Sequence, residues 1–79
     1  MAEKKIGRTY ELITSAADFV AQNRSGTMQE WVRSSSPPSE TDKGIHIDTL
    51  QGMRGSDGSG NLYGRTRHAA GGGLVVFFT

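Results

Sequence analysis

Gly44-Ile45-His46-Ile47-Asp48-Thr49-Leu50 alternates apolar and polar side chains along its length. A period of two is the mark of a half-buried strand, because successive side chains leave a pleated backbone on opposite faces. The reading puts Ile45 and Ile47 inward, with Thr49 as a marginal third, and His46 and Asp48 outward.

Upstream, Ser34-Ser35-Ser36-Pro37-Pro38-Ser39 cannot continue a sheet, since proline lacks the ladder N–H and biases the residue before it toward extended geometry. It is expected to be a crossing loop. Residues 28–33 alternate Met28, Glu30 and Val32 against Gln29, Trp31 and Arg33, so either face can be the core face. Trp31 is expected at a rim, where its indole N–H finds a partner. Residues 18–22 carry Phe19 and Ala21 opposite Val20, and Asn23-Arg24-Ser25-Gly26 supplies a hairpin turn. A helix over residues 15–22 is the rival there, with Ala16, Ala17, Phe19 and Val20 on one stripe. Residues 9–14 read as a further strand, Tyr10 and Leu12 opposite Glu11 and Ile13. Residues 1–8 are polar and are expected to form an arm, disordered alone or ordered by a neighbour's sheet edge.

Downstream, Gly55-Ser56-Asp57-Gly58-Ser59-Gly60-Asn61 reads as a turn at a tip. Residues 61–67 set Leu62, Gly64 and Thr66 against Tyr63, Arg65 and Arg67, and residues 69–73 turn the chain again. Leu74-Val75-Val76-Phe77-Phe78 is apolar on both faces, so it is either a central strand or a strand covered on its second side by another chain. Short strands separated by turn residues predict an all-β fold: a small antiparallel β-sandwich or barrel of six to seven strands over residues 9–79, with the polar N-terminal arm ahead of it.

Composition narrows the function classes. The 79 residues hold only fifteen Leu, Ile, Val and Phe, five of them in the last six positions. So thin a core calls for outside support, which below about 70–80 residues comes from disulfides, a metal or oligomerisation. There is no cysteine, which removes disulfides and the Cys-based zinc sites. The favoured supplement is docking onto other chains. Nine basic against eight acidic residues, a net charge of +1, argue against a dedicated nucleic-acid binder. No apolar run reaches the roughly 18 residues of a membrane span and no export signal is visible, so synthesis in the cytoplasm is expected.

Catalytic and metal-binding readings are weak. His46 and Asp48 share a strand face and His68 lies elsewhere, a spacing too loose to define a metal site. Residues 57–61 lack the alternating acidic ligands of a calcium loop. Gly71-Gly72-Gly73 opens a strand instead of a helix, so it is no phosphate cradle, and no nucleophile motif is present. No enzyme activity, cofactor or metal is expected. Arg54, Arg65 and Arg67, with Tyr63 between them, are expected to salt-bridge to Glu30, Asp48 or a neighbouring subunit.

The series formed by Ala21-Gln22-Asn23-Arg24-Ser25-Gly26, the strand 28–33, Ser36-Pro37-Pro38-Ser39 leading to Gly44-Ile45-His46-Ile47, Asn61-Leu62-Tyr63-Gly64-Arg65-Thr66 and the strand 74–78 resembles small β-sandwich virion structural proteins of tailed bacteriophages. The resemblance covers residues 18–79 and rests on the order of parts. It implies a non-enzymatic component of the virion, made in the host cytoplasm: a capsid decoration or cement protein, or a tail accessory. Its partners would be a major capsid or tail protein and further copies of itself, with a trimer suggested by capsid organisation. The expected assembly surface is Leu74, Val75, Val76, Phe77 and Phe78. The alternative is a receptor- or glycan-binding tip module of a tail or fibre, presenting Trp31, Tyr63, Arg65 and His46 as an exposed platform.

Overall fold

The computed structural model describes residues 2–55, 60–67 and 72–79. The described residues form strands and no helix. In chain order these are β1 (Ala2–Ile6), β2 (Glu11–Thr14), β3 (Phe19–Asn23), β4 (Gln29–Ser34), β5 (Ile45–Ile47), β6 (Gly52–Gly55), β7 (Asn61–Thr66) and β8 (Gly73–Phe78). They make two four-stranded sheets, a first in the order β1-β8-β3-β6 and a second in the order β2-β7-β4-β5. Every paired neighbour is antiparallel. The all-β expectation holds, and the helical rival over residues 15–22 gives way to β3.

The described residues form eight strands, not six to seven, for two reasons. The expected arm is an edge strand: β1 pairs with β8 from Ala2 opposite Phe77 to Ile6 opposite Gly73. Glu3, Lys4 and Lys5 hid it, although charge on an outer strand is a common protection of an unpaired edge. The second addition is β6, which is four residues long, bounded by glycines and too short to declare a period. Between β5 and β6 the chain passes from the second sheet to the first in a tight turn, with Leu50 at φ 67°. The Leu50 amide donates to Asn23 O at 2.7 Å and the Gln51 amide to Asp48 O at 3.0 Å.

Both sheets contribute to one buried cluster. Ile6, Phe19, Ala21 and Val75 come from the first, and Ile13, Trp31, Ile47 and Leu62 from the second, with Met53 and Phe77 packed against them. Ile47 is buried as expected, but Ile45 is 60% exposed and Thr49 is exposed. Both isoleucines lie on the same face of β5, a three-residue edge strand paired only with β4; its end at Ile47 reaches the core and its end at Ile45 does not. On β2 a bulge between Leu12 and Thr14 lets the adjacent Ile13 and Thr14 both be buried while Leu12 stays exposed.

The choice between the faces of β4 falls to Gln29, Trp31 and Arg33. Trp31 is not at a rim; it is fully buried. Its Nε1–H donates to Gln29 Oε1 at 2.7 Å, so the partner the indole needs is supplied inside the core. Gln29 Nε2 in turn donates to Asn23 Oδ1, Ser25 Oγ and the Leu74 carbonyl. Asn23 Nδ2 donates to the Thr27 and Ile47 carbonyls. The turn at Asn23-Arg24-Ser25-Gly26 is not the expected hairpin, since β3 and β4 lie in different sheets and do not pair; it carries the chain from the first sheet to the second, and this network ties it to both. Among the described residues no buried side-chain nitrogen or oxygen lacks a partner, which is what makes so polar an interior affordable.

Candidate interaction surfaces

Alternation divides β8 between two environments. Val75 is fully buried and Phe77 packs against the core, so these two members of the expected assembly surface stabilise the fold itself. Leu74, Val76 and Phe78 lie on the opposite, outer face of the first sheet. There Val20 stands opposite Phe78, and Gln22 opposite Val76. Val20 is also paired with Arg54 on β6, while Glu3 and Lys5 flank the other side on β1, opposite Val76 and Leu74. Val20 is 48% and Phe78 54% exposed. Val20, Gln22, Gly52, Met53, Arg54, Val76 and Phe78 line a shallow depression of about 430 Å³ on this face. The surface is thus an apolar centre on two inner strands with charged residues on the two edge strands, the layout of a protein contact. Sequence reasoning missed Val20, whose outward position follows once Phe19 and Ala21 are assigned to the core.

The second expected site is taken apart by burial. Trp31 is fully buried, Tyr63 is 7% and Arg65 6% exposed; only His46 is well exposed. They do not make the exposed platform expected of a glycan-binding tip. β7 is a central strand, and the segment after β4 folds across its outer side. Tyr10 Oη donates to the Asp42 carbonyl at 2.9 Å, and its ring lies 4.2 Å from the Arg65 guanidinium carbon. Arg65 Nη1 donates to the Glu40 carbonyl at 2.9 Å.

Beneath that cover sits Glu30, 1% exposed. Its Oε1 accepts from Arg65 Nε at 3.1 Å and from Arg67 Nη1 at 2.9 Å, with Arg65 Nη2 at 3.0 Å. Its Oε2 accepts from the Gly44 amide at 3.1 Å and lies 3.7 Å from His46 Nε2. Burial pushes the Glu30 carboxyl upward, but the Gly44 amide and the two guanidinium groups outweigh it and hold the pKa below its ordinary value. The expected pairing of Arg65 and Arg67 with Glu30 is present. Arg54 is not in this group, since it lies on the outer face of the first sheet, and Asp48 belongs to the turn after β5.

Among the described residues no group of three or more His, Cys, Asp or Glu is placed to hold a metal, and no helix is long and apolar enough to cross a membrane. His68, most of the tip at 56–59 and residues 69–71 of the expected turn lie outside the described residues. No family model, curated protein or solved structure matches the chain.

Proposed function

We propose that this chain is a non-enzymatic structural subunit of a tailed-phage particle, a small β-sandwich that docks by the outer face of its first sheet, in the manner of a capsid decoration protein. The observation that carries the docking is the partly exposed apolar row of Val20, Val76 and Phe78 on the two inner strands of that sheet, framed by Glu3, Lys5 and Arg54. Inner strands normally direct such side chains to a core; here none of the described residues covers them. Fully covering a Val or Phe side chain is worth about 1.5–3 kcal/mol, so a partner that closes this face adds appreciably to the roughly 5–15 kcal/mol stability of a small domain. The phage assignment rests on the resemblance of residues 18–79 to virion proteins.

Two observations test the assignment. Genes for capsid or tail proteins beside the gene for this chain, and the chain itself in the peptide mass spectrum of purified particles, are the expected results. A gene set without virion components, together with particles that lack the chain, would contradict it.

A further inference from the structure

A second feature lies well away from the apolar face, where the chain crosses from β1 to β2 beside the end of β7. A cleft of about 510 Å³ is lined there by Arg8, Thr9, Glu40, Arg65, Thr66 and Arg67. Arg65 and Arg67 share one carboxylate oxygen, Glu30 Oε1, so two guanidinium charges are met by a single buried negative charge. Arg65 is a fixed charge, since Tyr10, Glu30 and the carbonyls of Glu40 and Asp42 hold it in place. Arg67 is more than half exposed and engages Glu30 through Nη1. Arg8 is exposed and has no hydrogen-bond or ion-pair partner among the described residues. Among the described lining residues the one carboxylate is Glu40, 69% exposed and 3.9 Å from Arg65 Nη1, too loose to be a permanent counter-charge.

We propose that this cleft binds a single oxyanion group, a carboxylate, sulfate or phosphate presented by a ligand, and that the Glu40 carboxylate competes with it. Guanidinium groups suit such ligands because their planar N–H forks match two oxygens at once. One of the three is immobilised before the ligand arrives, which lowers the ordering cost of binding. Glu40 is a built-in rival because it brings the same functional group to the same guanidinium.

The test is an amide NMR titration of the labelled, folded protein with inorganic phosphate replacing chloride at constant ionic strength, repeated with glucuronate as the carboxylate probe. Saturable shifts are expected at Arg8, Thr9, Thr66 and Arg67. Arg8→Gln should weaken binding about fivefold, the loss of one exposed charge-assisted contact. Glu40→Gln should tighten it, and Arg54→Gln on the other sheet should leave it unchanged. Tighter binding of phosphate assigns a doubly charged group, and tighter binding of glucuronate a carboxylate. Shifts that do not saturate, or that respond equally to Arg8→Gln and Arg54→Gln, or that are unaffected by Glu40→Gln, would overturn the proposal.

Discussion

The indole N–H of Trp31 donates to Gln29 Oε1 at 2.7 Å, and neither side chain is exposed to solvent. The two residues stand on the same face of β4, so one strand supplies both the largest core side chain and the group that makes its burial possible. Gln29→Met keeps the approximate volume but orphans the indole donor, while Asn23 Oδ1 keeps the bonds it accepts from the Ser25 amide and hydroxyl. With an orphaned buried polar group costing about 1–3 kcal/mol, a loss of that order is expected in urea unfolding. A change under about 0.5 kcal/mol, typical of an ordinary surface substitution, would show that the hydrogen bond does not matter.

Glu30 makes stability depend on pH. Its folded pKa lies below the ordinary 4.5, so its contribution is fully present above the unfolded pKa and is lost as pH falls through 4.5 toward the folded value. Glu30→Gln is expected to lower the melting temperature at pH 7, because Arg65 is left buried without its counter-charge. Breaking a buried pair costs about 3–5 kcal/mol, and half-exposed Arg67 places this one at the lower end. The variant should also lose less stability than the parent between pH 5 and pH 3. Parallel melting curves across that range would contradict the assignment.

Gly44 holds the covering segment against β4. A Cβ built on it would lie 2.6 Å from the Trp31 carbonyl oxygen, a backbone atom that cannot swing aside. Gly44→Ala should therefore displace the segment, withdraw the amide that Glu30 accepts, and speed hydrogen exchange of the Gly44 amide. Unchanged exchange and melting temperature would mean that the segment tolerates the shift.

Leu50, at φ 67° and 60% exposed, adopts a left-handed conformation that costs an ordinary residue about 1–2 kcal/mol. Leu50→Gly removes that strain and loses roughly 0.5–1 kcal/mol through the greater freedom of the unfolded chain. Thermal unfolding should show a neutral to slightly stabilised variant. Marked destabilisation would mean that the Leu50 side chain is needed where it stands.

The parts of the fold that were legible in the sequence are those where pattern and burial coincide. Residues 74–78, apolar on both faces, could be read as a central strand, and β8 is one. Opposite charges made the Glu30–Arg65 pair foreseeable. The strand β1 was hidden because its exposed side chains are charged, and its identity lies in a backbone ladder to β8. Trp31 was misplaced because its hydrogen-bond partner was sought in water. A glutamine two residues earlier on the same strand face was the signal that could have placed it inside. Of the expected assembly residues, alternation separates Leu74, Val76 and Phe78 on one face from Val75 and Phe77 on the other, but which face turns inward is set by the packing of the two sheets. Val20 joins that outer row only through the β3–β8 register, a long-range pairing that local pattern does not specify.

The outer face of the first sheet is the centre of the proposed function, and the most direct test is co-sedimentation of the purified chain with purified tailed-phage particles, those whose genome carries its gene being the ones the proposal calls for. Val20→Asp combined with Phe78→Asp changes only outward side chains, so the variant should keep the β circular-dichroism spectrum and a cooperative melt. The parent chain is expected to pellet with particles saturably while the folded double variant stays in the supernatant. Equal pelleting of the two, or a parent chain that never joins the particles, would contradict the claim.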